Sequence, residues 1–230
     1  MQRPLGLVLK SWPESSDRLP ANVTMSPMSQ QEFWNERFST PDYLFGEEPN
    51  EFLVQQSYWL DPGSKVLCIA DGEGRNGVWL ARQGHKVLSN DFSSAAQEKA
   101  RALADKCQVD VAFDSQSLEE FSWSSDTFDA VIGIFFQFAA PDLRSAIFAG
   151  MKRVVVPGGL VMIEGYRPEQ LDYGTGGPKA LDQLYTAEML AGAFADFEIL
   201  HLESIDKEVE EGKGHRGISA LVDLVARKPL

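Results

Sequence analysis

The segment that most constrains this chain is Lys65-Val66-Leu67-Cys68-Ile69-Ala70-Asp71-Gly72-Glu73-Gly74-Arg75-Asn76-Gly77-Val78-Trp79-Leu80-Ala81. A short apolar run gives way to small residues and glycines, then resumes with a helical period. That pattern predicts a buried strand passing through a tight loop into a helix whose first backbone N–H groups lack intrahelical partners. Ala70, Gly72 and Gly74 alternate, so the loop can turn sharply and let a ligand approach its backbone. Asp91 closes the next strand-like run, residues 85–91. An acid ending the second strand, roughly 20 residues beyond a glycine loop, is placed to accept hydrogen bonds from both ribose hydroxyls. Loop and acid together point to an adenosine-type cofactor, and Phe92 stands where its adenine ring would lie.

Strand-like and helical runs alternate on either side of this unit. Residues 76–83 read as a helix stopped by Gly84, and Ser93 or Ser94 caps a helix reaching Lys106. Residues 109–113 read as a short third strand. Residues 127–136 form a nearly continuous apolar run, as in a central parallel strand buried on both faces. A helix over 141–153, a turn at Pro157-Gly158-Gly159 and a strand over 160–164 follow. The alternation predicts an α/β fold with a doubly wound parallel sheet. Ligands of such sheets bind beyond the strand C-termini, so Phe135, Phe136, Gln137 and Phe138 are expected to open into the crevice, with Gln137 facing the transferred group. The last third departs from this pattern. A helix over 186–193 precedes two strands joined by residues 211–217, which predicts an antiparallel hairpin.

Length and charge narrow the function. The 230 residues, 43% of them hydrophobic, suit one sizeable core. We read residues 29–230 as a single domain and residues 1–28, with Pro4, Pro13, Pro20 and Pro27, as a disordered extension, a weak transit peptide being the alternative. The net charge of −13 disfavours phosphate backbones and anionic lipid as partners, so neither nucleic acid nor membrane is expected. Cys68 and Cys107 lie far apart without metal-ligand spacing, which suits a cytoplasmic, reducing setting and predicts no metal. Cys68 itself reads as a small core residue.

The loop at residues 70–76, Asp91, Asp114, the strand at 128–131 and the Pro157-Gly158-Gly159 turn together resemble class I S-adenosylmethionine-dependent methyltransferases. A narrower resemblance is to the small bacterial methyltransferases grouped with tellurite-resistance proteins. It is carried by Phe33-Trp34-Asn35-Glu36-Arg37-Phe38, Tyr43-Leu44-Phe45-Gly46, Glu48-Pro49-Asn50, Gly72-Glu73-Gly74-Arg75-Asn76, Gly174-Thr175-Gly176-Gly177-Pro178 and Glu211-Gly212-Lys213-Gly214-His215-Arg216-Gly217. The resemblance implies a Rossmann-like, seven-stranded sheet with an antiparallel C-terminal strand, and S-adenosyl-L-methionine as cofactor. It implies that Ala70, Gly72 and Gly74 face the methionine part, flanked by Asp71, Glu73, Arg75 and Asn76. Asp91 would face the ribose, Asp114 with Ser115 the adenine, and Phe135 would border the cofactor. Three departures stand out. Cys68 sits where many relatives have an acid, Ala70 replaces the usual first glycine, and Gln137-Phe138 stands where tellurite-type relatives often have His-Leu.

Methyl transfer from a sulfonium needs alignment and exclusion of water more than it needs a base. A thiol or chalcogen oxyanion acceptor can react without one. A hydroxyl or amine calls for a proton acceptor, for which His215 is the candidate, with Tyr166 beside it. Arg37, Tyr43, Phe45, Gln137, Tyr166, Gln170 and His215 form the expected substrate wall, and the partner is expected to be a small molecule, with the chain a monomer or homodimer. The competing readings are a methyltransferase of proteins or of hydroxyl and amine metabolites, a non-catalytic adenosine-cofactor-binding module, and a nucleotide-dependent oxidoreductase. Against the last stand the C-terminal hairpin and the lack of a Tyr-x-x-x-Lys spacing.

Overall fold

Alternating residues of the first strand fall on opposite faces, and each face finds its own apolar cluster. In the computed structural model, which describes residues 29–123 and 128–230, β1 (Lys65–Ile69) turns Leu67 and Ile69 to one side of a sheet and Val66 and Cys68 to the other. With β2 (Lys86–Asn90), β3 (Ala112–Asp114), β4 (Phe128–Ile134), β5 (Val155–Tyr166), β6 (Glu198–Glu211) and β7 (His215–Arg227) it makes seven strands ordered β3-β2-β1-β4-β5-β7-β6. The pairs from β3 through β5 are parallel; β7 runs antiparallel between β5 and β6. The expected doubly wound sheet and its C-terminal hairpin are both present. The chain order reverses between β1 and β4, and the crevice opens there.

Among the described residues seven α-helices flank the sheet: α1 (Gln30–Phe38), α2 (Glu51–Gln56), α3 (Arg75–Arg82), α4 (Ser94–Cys107), α5 (Pro141–Val154), α6 (Gln170–Tyr173) and α7 (Ala187–Ala193). Residues of α5 and α7, such as Phe148, Met151 and Leu190, cover one face with Val131 and Val161. Phe52 and Leu53 of α2 and Leu80 of α3 cover the other with Ile132 and Met162. Ser93 caps α4 through its hydroxyl, as the sequence suggests, and Pro141 opens α5 at a position where its missing N–H is harmless.

Two expectations change. Pro157-Gly158-Gly159 is not a turn between elements but a kinked part of β5: Gly158 adopts φ +80°, and its N–H donates to Lys228 O at 2.9 Å. A Cβ on Gly159 would lie 2.7 Å from Asp129 O, so the close approach of β4 demands glycine there. The third strand is also shorter than its apolar pattern suggests. The disordered extension expected at residues 1–28 lies outside the described residues. Among those described, no helix is long and apolar enough to cross a membrane.

Candidate functional site

A cavity of about 450 Å³ opens at the C-terminal ends of β1 and β4, where the sheet order reverses. Its floor is the loop between β1 and α3. Ala70 sits at φ +46° and Phe135, at the end of β4, at φ +54°, a left-handed conformation that side chains with a Cβ rarely adopt. Two such residues facing one cavity mark the place where backbone strain of about 1–3 kcal/mol each is tolerated. Gly72 (φ +57°) lines the cavity; Gly74 (φ +82°) does not, and its need for glycine has another cause. A Cβ there would lie 2.7 Å from Ala100 Cβ, so Gly74 lets α3 and α4 pack together.

Asp91 lines the cavity and fixes the loop as well. One carboxyl oxygen accepts from Gly72 N–H and the other from Ser93 N–H, both at 2.8 Å. Burial raises its pKa to about 6, against the pull of those two N–H groups. Each oxygen keeps a lone pair for a ribose hydroxyl. Asp71 is also buried and accepts from Ser89 Oγ (2.7 Å) and Gly77 N–H (3.2 Å), with burial pushing its pKa to about 7. Phe92 stacks on Phe138 with centroids 6.1 Å apart, giving the cavity a flat apolar wall.

The roof is α1 and the turn after it. A capping box between Ser29 and Glu32 starts α1, while Gln31 Nε2 donates to Phe92 O (2.8 Å) and Ser93 Oγ to Asn35 Oδ1 (2.8 Å). Thus pinned to the start of α4, α1 presents Phe33, Trp34, Arg37 and Phe38 to the cavity. Glu73 is not in the lining. Its Oε2 accepts from Leu44 N–H (2.8 Å) and Phe45 N–H (3.3 Å), and Lys99 pairs with its other oxygen at 2.7 Å. The cofactor loop therefore holds the turn that carries Phe45.

His215 lines the far end, 7% exposed, with its ring centroid 4.4 Å from Phe45, 4.3 Å from Phe135 and 5.6 Å from Tyr166. Its Nδ1 lies 3.6 Å from Glu211 Oε2, and Arg75 pairs with that same oxygen at 2.7 Å. Desolvation lowers the pKa of His215, Glu211 opposes this and Arg75 adds to it, so the ring is neutral near pH 7. Burial alone would raise Glu211, but the His215 ring and the Arg75 guanidinium facing its carboxylate hold it at about 2. Asn50 ties this group together: its Nδ2 donates to Glu211 Oε1 (3.0 Å) and to Glu164, and its N–H donates to Asn76 Oδ1 at 2.9 Å. Arg75 Nη1 is buried without a hydrogen-bond partner among the described residues, a free donor beside the loop.

The cavity therefore gathers Ala70, Asp71, Gly72, Arg75, Asn76, Asp91, Phe92 and Phe135 of the expected cofactor set, and Arg37, Phe45, Gln137, Tyr166 and His215 of the substrate set. Others stand elsewhere. Asp114 lies outside the lining, its Oδ1 accepting from Asn90 Nδ2 (2.8 Å) and Gln116 N–H (3.0 Å), and Ser115 is exposed outside it. Tyr43 donates its hydroxyl to Lys99 O (3.0 Å), a roof anchor rather than a wall. Gln170 is a strut: Nε2 donates to Thr175 Oγ1 (2.9 Å) and Oε1 accepts from Ala220 N–H (2.9 Å). Gln137 borders the cavity, yet its amide is occupied: Nε2 donates to Tyr166 O (2.9 Å) and Gln183 O (3.1 Å), and Oε1 accepts from Tyr166 N–H. It acts by fixing Tyr166 instead of facing the transferred group. Burial raises the Tyr166 phenol well above its ordinary range, so it is a proton donor, not a base.

Sequence reasoning missed Asn50, Glu211 and Lys179. Asn50 and Glu211 each lie in a recognisable motif, but their pairing spans 161 residues and has no local signal.

Residues 66–159 match the family model described as "Methyltransferase domain". Thiopurine S-methyltransferase of Pseudomonas putida is 30% identical over 123 residues, 50% of this chain and 53% of that protein. The match spans only 27–57% of the length of such curated relatives. Among solved structures, TehB from Haemophilus influenzae superposes with a TM-score of 0.65 at 19% identity, covering 86% of this chain and 66% of that one. N-methyltransferase NodS from Bradyrhizobium japonicum, bound to S-adenosylhomocysteine, gives 0.65 at 12% identity, covering 87% and 98%. Those likenesses concern the fold; the family match concerns the segment from β1 into β5. Residues 66–159 are thus similar to a methyltransferase domain, and the seven-stranded sheet that contains them has the fold of those methyltransferase structures.

Proposed function

We propose that this chain transfers methyl from S-adenosylmethionine to a small-molecule acceptor, with a thiol or chalcogen oxyanion as the first acceptor class. The observation that carries the reading is one cavity with Asp91 and the loop at 70–76 at one end and the aromatic cluster around His215 at the other. A single ligand commonly fills roughly 300–1,000 Å³, so a cavity of about 450 Å³ that also takes a nucleoside cofactor leaves space for a small acceptor only.

The residues present fit the cofactor. Asp91 suits a ribose, the Phe92–Phe138 wall an adenine, and the unpartnered Arg75 nitrogen a carboxylate. The sulfonium supplies an electrophilic methyl. The protein's share is to exclude water under the α1 roof and to aim the acceptor. A thiolate acceptor needs no base. The neutral His215, steadied by Glu211, favours a second reading, a hydroxyl or amine acceptor whose proton His215 takes.

Calorimetric titration with S-adenosylmethionine, S-adenosylhomocysteine and NADH tests the cofactor. Both sulfur ligands bind and NADH does not. Asp91→Ala weakens them by the roughly 1.5–3 kcal/mol of hydrogen bonds to a charged group, about ten- to a hundredfold. Failure of the folded wild type to bind either sulfur ligand refutes the reading. Thiols, selenite and tellurite, phenols and amines then form the acceptor screen, and binding without turnover on any of them leaves a cofactor-binding module.

A further inference from the structure

Basic residues are outnumbered by acids in this chain, 21 to 34, and inside the fold most find one: Arg75 pairs with Glu211, Lys99 with Glu73 and Lys207 with Glu164. Two cations that line the cavity do not. Among the described residues, Arg37 and Lys179 make no ion pair and no side-chain hydrogen bond. Arg37 is held by rings instead, its guanidinium carbon 5.0 Å from the Trp34 centroid and 5.6 Å from that of Phe33. The rings that hold it lead on to His215: Trp34 stacks on Phe38 at 5.5 Å, Phe38 meets Phe45 at 6.0 Å, and Phe45 lies 4.4 Å from the His215 ring. Lys179 follows a glycine loop pressed on Tyr166, where a Cβ on Gly177 would lie 2.8 Å from the Tyr166 ring. Tyr166 in turn meets His215 edge-on at 5.6 Å. Asp71 and Asp91 line the same cavity, but their carboxyls are engaged by Ser89, Gly77, Gly72 and Ser93, so the exposed Arg37 and Lys179 are left on its rim without a carboxylate partner.

We propose that this rim is an anion subsite: the acceptor has an apolar body that fits the aromatic roof and an anionic group, such as a carboxylate, held by Arg37 and Lys179 apart from the methyl-accepting atom. The inference rests on the cavity being the acceptor site of the proposed methyltransferase. Arg37, exposed yet stacked on Trp34, keeps its donors free for a planar anion. Neutral thiols lack the charge, so they bind less well than a thiol or phenol bearing a carboxylate.

The test uses unreactive probes on the full chain saturated with S-adenosylhomocysteine. In calorimetric titrations benzoate binds at least about tenfold more tightly than benzamide, and added NaCl weakens benzoate alone. Arg37→Gln and Lys179→Gln each weaken benzoate about tenfold and leave the weak benzamide binding within about twofold. Circular dichroism confirms that each variant is folded, and the salt dependence of the wild type tests the charge without any variant. Equal affinity for the two probes, no binding of either, or benzoate binding indifferent to both substitutions overturns the subsite. Titrations repeated without S-adenosylhomocysteine separate the two claims. If the sulfur ligand fails to bind but benzoate is still preferred, the methyltransferase reading falls and the anion site stands.

Discussion

His215 shows how much a single residue's surroundings decide. A histidine in a glycine-rich turn reads equally well as a surface group, yet this one is 7% exposed and packed by three rings. Burial and Arg75 push its pKa down, and the Glu211 carboxylate pushes it up. The pKa therefore lies below the ordinary value near 6.5, and Glu211→Gln lowers it further by removing the one favourable charge. Titrating the three histidines by NMR, with His215→Gln for assignment, checks this. An upward move in Glu211→Gln would mean that Glu211 does not face the ring in solution. For a hydroxyl or amine acceptor the acid limb of kcat/KM follows the same group, so it shifts to lower pH in Glu211→Gln. For a thiol acceptor it does not.

Elements are held here by glycines for reasons a motif does not reveal. Gly74 belongs to the cofactor loop by sequence, but the contact that forbids a side chain is α4, with Ala100 Cβ at 2.7 Å and Ala100 Cα at 3.0 Å. Gly63 is also left-handed (φ +76°), with nothing within 4 Å of a built Cβ. Comparing the two separates backbone strain from packing. Gly63→Ala costs about 1–2 kcal/mol of conformational strain, and Gly74→Ala adds about 1–3 kcal/mol of overpacking to a similar term. Urea denaturation measures both, and equal losses would refute the packing account. The β1-loop-α3 unit, Asp91 and the alternation of strands were legible because each rests on residues within one or two turns of chain. Gln137 and Gln170 were not, because an amide facing a ligand and an amide bracing the backbone look alike in sequence. Nor was the meeting of residues 43–46 with the hairpin turn, where a Cβ on Gly212 would lie 2.5 Å from Gly46 N and Gly214 N–H donates to Leu44 O at 3.0 Å. That contact joins two distant sequence motifs, which only the folded sheet brings together.

At the scale of the molecule, the sheet buries more carboxyls than its polar groups fully compensate. Burial raises Asp71 to about 7 and Asp91 to about 6, and also raises Glu164 and Asp223 inside the sheet. In the unfolded chain these groups titrate near their ordinary values of about 4. Between those values and the folded ones, the native state binds protons that the unfolded state does not, so native stability rises as pH falls through that window. Two groups act the other way. Glu211, held at about 2, withdraws its contribution only as pH drops below its unfolded value. His215, neutral when folded, lets the unfolded state take up a proton below about 6.5. Four raised carboxyls outweigh one histidine between pH 8 and 6. The ligand-free protein is therefore more stable at pH 6 than at pH 8, by a few degrees of melting temperature, since about 1 kcal/mol moves a chain of this size by roughly 2–4 °C. S-adenosylhomocysteine should blunt the trend, because an Asp91 that accepts ribose hydroxyl hydrogens is kept ionised, and by the same linkage its affinity should weaken as pH falls below about 6. Thermal melts from pH 5.5 to 8, with and without the ligand, read both effects. A ligand-free melting temperature that falls steadily from pH 8 to 6 would show that the buried carboxyls are solvated in solution, and the closed roof over Asp91 would have to be open.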